Sequence, residues 1–337
     1  MRIPVLFVTF ALVLTSGVYA SGARESDAST ITLYSGRGES LVQPLVERFE
    51  EETGIRVQVR YGGTAELAVL LQEEGARSPA DVFWGQDGGA LGALSRADLL
   101  ADLPEDILAG IPQIYRNSTG NWVATSGRAR VLAFDPRSIP ENDLPTSVFD
   151  LTAEKYRGNV AWAPTNGSFQ AFVTAMRVVH GDETTSRWIR DMLANDVQIY
   201  RNNTSIVEAI AAGEVAMGIT NNYYLLRFLA ADPAYPVRQT FFEANDTGNL
   251  VNVAGAGVLK TSTNPDGALQ FIRFLLSSVA QQYFTTEIFE YPVVDTVEMN
   301  PQLVRYDQLL DITPEVDLDT LEDLEATLSL LRSAGAL

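Results

Sequence analysis

The amino-acid sequence predicts an α/β protein with two lobes, and three observations favour this fold class. Short apolar strands alternate with amphipathic helices along most of the chain, which is typical of a sheet covered by helices. The length of 337 residues is sufficient for two domains. No clear linker separates the two sets of elements, so we expect the chain to cross between the lobes more than once.

The first set of elements is a strand–helix–strand–helix–strand series, whose order predicts parallel strands. Apolar residues from Leu41 to Phe49 recur on one helical face, and Gly54 follows them as a helix C-cap would. Pro44 lies in the opening turns of that helix, where proline is tolerated best. The predicted strands span 31–34, 55–59 and 81–84, and the predicted helices span 41–49, 65–74 and a segment from residue 90.

The second set of elements begins at residue 131 and repeats the alternation of strands and helices. It contains no internal repeat and no low-complexity segment. The predicted strands span 131–134, 160–163, 197–200, 215–220 and 251–259, and the predicted helices span 169–179, 184–193, 205–212, 223–231, 266–276 and a segment near 321–331.

The composition excludes several classes of function. The chain has 24 Lys and Arg against 43 Asp and Glu, and its net charge of −19 argues against nucleic acid and anionic lipid as partners. The same charge suits a cationic ligand. The absence of Cys excludes disulfides, zinc knuckles and thiol nucleophiles, and a single His excludes a multi-His metal site.

The first twenty residues are predicted to be a cleaved export signal. Met1-Arg2 is a basic start, an apolar run from Val5 to Leu14 follows, and the segment ends at Ala20 as a signal peptidase site would. The run is shorter than the ~20 residues that span a membrane, although an uncleaved anchor is the alternative. The mature chain is expected to begin near Ser21 with a polar leader over 21–29, and to be periplasmic.

Two adjacent tyrosines, Tyr223 and Tyr224, are the first candidates for binding chemistry. They follow the predicted strand 215–220 and open a predicted helix, and ligands bind at such strand ends in open α/β sheets. The positive end of the helix dipole favours a phenolate over a phenol. Two phenolates on one turn can hold a hard trivalent cation such as Fe(III). The alternative is that two amphipathic rings pack one lobe against the other.

Turns of small residues that precede helices are the second candidates for binding chemistry. Residues 35–40 follow the first strand, and residues 165–168 follow the strand 160–163. Each turn leaves backbone N–H groups free at a helix start, which favours an anion. Arg128 and Arg130 add guanidinium groups that can hold an oxyanion. The alternative is that these turns only connect strands to helices.

No catalytic motif is found in the sequence. His180 follows an apolar helix and precedes Gly181, which suits a residue at a helix C-terminus better than a catalytic base. Neither a Gly-x-Ser-x-Gly nucleophile turn nor a phosphate loop ending in Gly-Lys-Ser/Thr is present. We therefore expect a protein that is not an enzyme.

The order of short phrases along the chain resembles the bacterial periplasmic ferric-ion-binding proteins, the solute receptors of iron(III) ABC importers. The NNYY phrase is the most specific of them, because the paired tyrosines of that family ligate iron. The phrases are ITLYSGRGES (31–40), FEEETGIRVQVRYG (49–62), SPADVFWGQD (78–87), SGRARVLAFDP (126–136), APTNGSFQ (163–170), AAGEVAMGITNNYY (211–224), AGAGVLKTS (254–262) and EYP (290–292).

The resemblance implies that Tyr223 and Tyr224 ligate Fe(III). Family members often place a His just after the first strand, whereas this chain has Gly38 there, and the neighbouring Glu39 is a possible replacement. Some members have a Glu after the third strand, where this chain has Gln followed by Asp87, a second possible ligand. The ligands beyond the two tyrosines therefore remain open at this point.

The resemblance also implies a synergistic anion, carbonate or bicarbonate or phosphate, that completes the iron coordination. Arg128 matches a family arginine that holds carbonate, and Arg37 is a further candidate. The positions that hold phosphate in relatives correspond here to Asn166, Gly167, Ser168, Asn203 and Asn221.

The resemblance further implies the type II periplasmic-binding-protein fold, in which each lobe is a mixed sheet flanked by helices and the two are joined by a hinge of crossing strands. On that model the N-terminal lobe is 30–129 plus 254–304, and the C-terminal lobe is 130–253 plus 305–337. Fe(III) is captured between the lobes and delivered to the permease of an inner-membrane ABC importer by a protein expected to be a monomer.

Two other functions remain open from the sequence. A receptor of the same fold can hold a small anion by Arg37, Arg128, Arg130 and helix N-termini, with the tyrosines only hydrogen-bonding or stacking. A periplasmic enzyme on the same fold is the other alternative, since fold does not determine function.

Overall fold

A computed structural model describes residues 30–111, 115–316, 320–321 and 323–337. The predicted signal peptide and leader lie outside the described residues. Within the described part, no helix is both long and apolar enough to cross a bilayer. The four tryptophans are all buried, as expected for packing residues: Trp84, Trp122, Trp162 and Trp188.

The first elements confirm the predicted strand–helix alternation. The strand β1 pairs in parallel with both β2 and β3. Gly54 ends α1 in a left-handed conformation at φ 73°, where its N–H donates to the Glu50 carbonyl oxygen. The elements are β1 (Thr30–Ser35), α1 (Glu39–Thr53), β2 (Arg56–Tyr61), α2 (Thr64–Glu74), β3 (Val82–Gly85), α3 (Gly88–Arg96) and α4 (Glu105–Leu108).

The next strand, β4 (Val123–Phe134), is much longer than the predicted strand 131–134. Every residue of β4 is buried, and its first half contains Ser126 and Arg128. Hydrophobic alternation cannot identify such a segment, because its side chains are enclosed without being apolar.

The remaining predicted elements are found with small shifts in their ends. The structure adds a strand at Arg238–Thr240 and helices at Ser278–Tyr283 and Tyr306–Ile312, which were not predicted. The predicted helices 169–179 and 184–193 form one assigned helix that is interrupted at Gly181, whose φ of 80° is not helical. The elements are β5 (Val160–Trp162), α5 (Gly167–Ala194), β6 (Gln198–Ile199), α6 (Asn203–Ala212), β7 (Met217–Asn221), α7 (Asn222–Ala231), β8 (Arg238–Thr240), β9 (Val251–Val258), α8 (Pro265–Leu275), α9 (Ser278–Tyr283), α10 (Tyr306–Ile312) and α11 (Leu324–Ala334).

The strands form one mixed path in the order β2-β1-β3-β9-β4-β7-β5-β6, with β8 beside β4. Residues Val123 to Ala129 of β4 pair with β9, and residues Arg130 to Phe134 pair with β7. The long strand β4 therefore belongs to both halves of the sheet, which confirms a mixed α/β architecture.

Two large hydrophobic cores lie at the opposite ends of β4, one around Val123 and Ala124 and the other around Leu132 and Phe134. The first core has its buried residues at Ile31 to Ala124 and at Val253 to Val293. The second core has its buried residues at Leu132 to Leu250 and adds Leu321, Leu331 and Ala336. The chain therefore passes from the first core to the second, returns to the first, and ends in the second. The predicted residue limits of the two lobes stay a prediction.

A close backbone contact joins the two cores at Gly89, at the start of α3. A Cβ atom at this position would overlap the carbonyl oxygen of Leu321, whose side chain belongs to the second core. We expect Gly89→Ala to lower the free energy of unfolding by about 1–3 kcal/mol or to push the cores apart. Thermal unfolding and the radius of gyration from small-angle scattering measure the two effects.

Gly110→Ala is the matched control for Gly89→Ala, because a Cβ at Gly110 would meet no neighbour within 4 Å. Equal unfolding temperatures and equal radii for the two variants would contradict the proposed contact between the cores.

Candidate functional site

The tyrosine pair lies at the junction of β7 and α7, as the sequence predicts. The buried strand β7 ends at Asn221, and Tyr223 and Tyr224 are in the first turn of α7. Their rings stack with centroids 4.2 Å apart at an interplanar angle of 29°. Tyr223 is only 2% exposed, whereas Tyr224 is half-buried. One phenol is therefore enclosed and the other borders solvent.

Burial dominates the electrostatics of Tyr223. It raises the pKa of this phenol well above its usual 10.0, and the neighbouring Tyr224 and Glu290 raise it further. The positive charges of Arg128 and Arg37 oppose this shift without cancelling it. The sequence-based expectation that the helix N-terminus favours a phenolate is thus outweighed by burial. Tyr223 ionises at neutral pH only when a cation compensates its charge.

Two arginines of β4 supply positive charge beside the tyrosines. Arg128 is 1% exposed, and all three of its guanidinium nitrogens lack a hydrogen-bond partner among the described residues. Burial lowers the pKa of Arg128, and the charges of Tyr223, Glu290 and Asp87 partly restore it. A buried cation without hydrogen bonds is costly, and an oxyanion is the ligand that would satisfy it.

The second arginine, Arg130, is more constrained than Arg128. Its guanidinium lies over the rings of Phe172 and Phe169, at 4.6 and 5.4 Å, and Nη1 donates to the Ser168 carbonyl oxygen at 3.2 Å. Its Nε and Nη2 lack hydrogen-bond partners in the described structure. Burial, with the repulsion of Arg128, lowers the pKa of Arg130 to about 9.

The predicted anion turn lies at the N-terminus of α5. The Asn166 side-chain oxygen accepts hydrogen bonds from the Ser168 N–H at 3.0 Å and from the Ser168 hydroxyl at 2.6 Å. Asn221 donates to the same hydroxyl at 3.2 Å. The structure thus brings Asn166, Ser168 and Asn221 together, with Gly167 in the first helical position.

Asn203 begins α6 and is fully buried. Neither polar atom of its side chain has a hydrogen-bond partner in the part of the chain that the structure describes. A buried amide in that state is available to a ligand.

The two candidate carboxylates differ in their surroundings. Asp87 is buried and caps α3 by accepting the Ala90 N–H at 3.0 Å. Burial raises its pKa, and the Ala90 hydrogen bond and the charge of Arg128 only partly oppose this shift. Its carboxylate also approaches Gly167, since a Cβ there would lie 3.4 Å from Asp87 Oδ2. Glu39 is exposed at the start of α1. Its charge adds to burial in raising the pKa of Tyr61, which is not one of the candidate site residues. The structure therefore brings Asp87, and not Glu39, into the buried group.

A third carboxylate, Glu290, was not predicted as a site residue. It is 1% exposed and accepts two hydrogen bonds from Arg37 Nη2, at 2.9 and 3.0 Å, and one from Ser126 Oγ at 2.5 Å. Arg37, which the sequence suggested as an anion ligand, is paired with this carboxylate in the structure. The phrase EYP carried the only sequence signal, an acidic residue inside an otherwise apolar segment.

The site does not resemble a metal centre of His and carboxylate ligands. Among the described residues, no group of three or more His, Cys, Asp or Glu is placed to hold a metal ion. His180 packs edge-on against Phe149 with ring centroids 5.0 Å apart. What the site does combine is a pair of phenols, a nearby buried carboxylate and unpartnered guanidinium groups.

Comparison with known proteins assigns the chain to a family. The family model described as "Bacterial extracellular solute-binding protein" matches residues 44–310. The chain is 32% identical over 332 residues to the Fe(3+)-binding periplasmic protein of Serratia marcescens, covering 97% of both chains. It is 34% identical over 316 residues to the major ferric iron-binding protein of Neisseria meningitidis serogroup B, covering 90% of this chain and 92% of the other.

The fold is similar to that of a solved iron-bound structure. The crystal structure of iron-bound HitA from Pseudomonas aeruginosa matches with a TM-score of 0.87 and 35% sequence identity, covering 91% of this chain and 99% of the other.

Proposed function

The chain belongs to the family of bacterial extracellular solute-binding proteins, and from this premise we propose that it captures Fe(III) together with an anion and delivers it to the permease of an inner-membrane ABC importer. It binds and transports its solute and is not an enzyme. We also propose that it acts as a periplasmic monomer after cleavage of residues 1–20.

One observation supports this function above the others: the buried Arg128 guanidinium has no hydrogen-bond partner among the described residues and interacts electrostatically with the buried phenol of Tyr223. A metal ion and an anion together satisfy both groups. Fe(III) stabilises the phenolate that burial otherwise disfavours, and an oxyanion satisfies the guanidinium. Neither ligand alone resolves both unfavourable features of the site.

The charges in the site are consistent with this ligand pair. Two phenolates from Tyr223 and Tyr224, with the carboxylate of Asp87, neutralise the three positive charges of Fe(III). Carbonate, bicarbonate or phosphate then neutralises Arg128 and is held at the N-terminus of α5. Gly167, Ser168, Asn203 and Asn221 are the proposed polar contacts, while Asn166 orients Ser168.

The proposed ligands come from both sides of the molecule. Asp87 follows β3, whose residues belong to the first core. The tyrosines begin α7 directly after β7, whose Met217 and Ile219 belong to the second core, and Arg128 lies on the shared strand β4. Ferric binding would therefore join the two lobes, with proposed limits 30–129 plus 254–304 and 130–253 plus 305–337. Reopening about the shared strands would release the metal to the permease.

The experiment that tests the function is a visible absorption titration of the purified mature protein. Ferric citrate is added with and without bicarbonate or phosphate, and a phenolate-to-iron charge-transfer band is expected. A band that strengthens with one of the anions identifies the partner anion. A protein that stays colourless and takes up no iron would overturn the proposal.

The affinity for Fe(III) should depend on pH through Tyr223. Since burial raises the pKa of this phenol well above 10.0, the phenol is protonated at neutral pH in the metal-free protein. Ferric binding displaces that proton, so the affinity is expected to fall at least about tenfold for each pH unit of acidification. Calorimetry in two buffers of different ionisation heat should show at least about one proton released per iron.

The matched control for the proton release is Tyr223→Phe, which removes the phenol that burial affects most. An affinity for Fe(III) that is the same at about pH 6 and pH 8 would contradict this prediction.

A second candidate function, a receptor for a small anion, is favoured by the same unpartnered Arg128 together with Asn203. In that case phosphate binds tightly without iron, and replacement of both tyrosines leaves the phosphate affinity unaltered. Calorimetry of the metal-free protein with phosphate separates the two functions.

A further inference from the structure

One buried ion pair lies beside the proposed anion site without belonging to it. Arg37 follows β1, and Glu290 comes from the segment that returns to β4 after α9. The two are 253 residues apart in sequence, and their side chains are 2% and 1% exposed. The backbone of the next residue, Tyr291, pairs with Gly127 in both directions, at 2.8 and 2.7 Å. Glu290 is therefore anchored one residue away from the strand that carries Arg128.

Glu290 has more than one cation within electrostatic reach. Its charge raises the pKa of Arg128 as well as that of Tyr223, yet both of its hydrogen bonds from a guanidinium come from Arg37. Arg37 Nη1 also donates to Ser126 Oγ at 3.2 Å, which itself donates to Glu290. Both carboxylate oxygens thus accept hydrogen bonds from Arg37 and one also accepts from Ser126, while Arg128 has no hydrogen-bond partner among the described residues.

A buried carboxylate does not remain unpaired when a cation is near, because its desolvation is too costly. If Arg37 were absent, Arg128 would be the neighbouring guanidinium able to pair with Glu290. That pairing would fill the donors that an anion needs. The anion would then have to compete with an intramolecular carboxylate.

We propose that Arg37 is a positioning residue that occupies Glu290 and so keeps Arg128 available to the anion. This inference rests on the proposed function for the role of Arg128. It assigns Arg37 an indirect role, in place of the direct contact with the anion suggested by the sequence. It also explains why a third carboxylate can lie near Arg128 without closing the anion site.

The test is a double-mutant cycle on phosphate binding with four proteins: wild type, Arg37→Gln, Glu290→Gln and the double variant. Phosphate affinity is measured by calorimetry on the metal-free proteins and by the phosphate dependence of the charge-transfer band on the iron-loaded proteins. Arg37→Gln is expected to weaken phosphate binding by about 10–100-fold. The double variant is expected to return to within about threefold of wild type, because the competing carboxylate is gone.

Rescue by the second substitution separates positioning from the other roles of Arg37. A double variant as weak as Arg37→Gln, or weaker, would overturn the inference, because it would mean that Arg37 contacts the anion directly or only maintains the fold. Circular dichroism and thermal unfolding check that each variant folds. If Arg37→Gln does not fold, Arg37→Lys replaces it, and the inference then requires Glu290→Gln to raise the phosphate affinity of Arg37→Lys.

Arg60→Gln is the charge-matched control, because Arg60 is half-exposed, stacks on Tyr34 at 5.2 Å and lies on β2. Its phosphate affinity should equal that of wild type. A loss equal to that of Arg37→Gln would assign the effect to net charge and overturn the inference. If wild type develops no ferric band, the proposed function fails, while the metal-free calorimetry still decides between the roles of Arg37.

Discussion

Replacing Tyr223 and Tyr224 together with Phe should lower the affinity for Fe(III) by about a thousandfold or more and remove the visible charge-transfer band. Losing one residue that only supports a metal ligand already costs about 10–100-fold in affinity, and this variant loses two proposed ligands. The stacked rings, 4.2 Å apart, remain as phenylalanines, so the packing of α7 is preserved. Competition with citrate, monitored by absorption, measures both effects.

The single variant Tyr223→Phe tests the effect of the buried hydroxyl on stability. Tyr223→Phe is expected to be at least as stable as wild type, because it removes a buried hydroxyl that, within the described structure, accepts a long hydrogen bond of 3.5 Å from Gln86 Nε2. The matched control is Tyr200→Phe. The Tyr200 hydroxyl donates a hydrogen bond to Glu214 Oε2 at 3.1 Å and does not belong to the site. Tight, coloured ferric binding by the double variant would exclude the tyrosines as ligands.

Arg128→Met should have two opposite effects. Ferric binding in the presence of bicarbonate or phosphate should weaken by about 100-fold, since the anion loses its main cation. The metal-free protein should become more stable, by about 1–4 kcal/mol, because a buried guanidinium that has no hydrogen-bond partner in the described part of the chain is replaced by an apolar side chain of similar length. Denaturant unfolding of the metal-free protein and anion-dependent ferric titration measure the two quantities.

The control for Arg128→Met is Arg48→Met. Arg48 is exposed on α1 and forms an ion pair with Glu52 at 3.0 Å, which contributes little to stability. Arg48→Met should alter neither quantity appreciably. If Arg128→Met destabilised the metal-free protein, Arg128 would be a structural residue, and a different group would have to hold the anion.

Much of the fold could be predicted from the sequence because hydrophobic periodicity reports burial against an apolar core. The helix face from Leu41 to Phe49 and the strand 81–84 are of this kind. The first half of β4 could not be found in this way, because Arg128 and Ser126 are buried against polar groups of the site. Hydrophobic periodicity, which identifies core strands, is therefore absent from the part of β4 that contributes to the candidate site.

Local sequence pattern pointed to candidate site residues only at strand ends and turns, whereas Asp87 and Asn203 were suggested only by the family resemblance. Tyr223 and Tyr224 were identified from their position after a strand, and Asn166 with Ser168 from the turn before a helix. Glu290 could not be assigned, because its meaning depends on Arg37, which only the folded chain brings near. Burial of Tyr223 was equally invisible, and it reverses the expected electrostatic preference of that phenol.

The division of the first core between two distant parts of the chain has a consequence for the timing of synthesis. Residues Ile31 to Ala124 are made early, but their partners from Val253 to Val293 follow only after the part of the second core from Leu132 to Leu250. Contacts of such long sequence separation form slowly, so the first core is completed only late in translation. For a chain that is exported as proposed, this delay is an advantage, because the chain must be threaded before it folds. The ion pair of Arg37 with Glu290, which lies beside the proposed anion site, can form only after nearly all of the protein has been made.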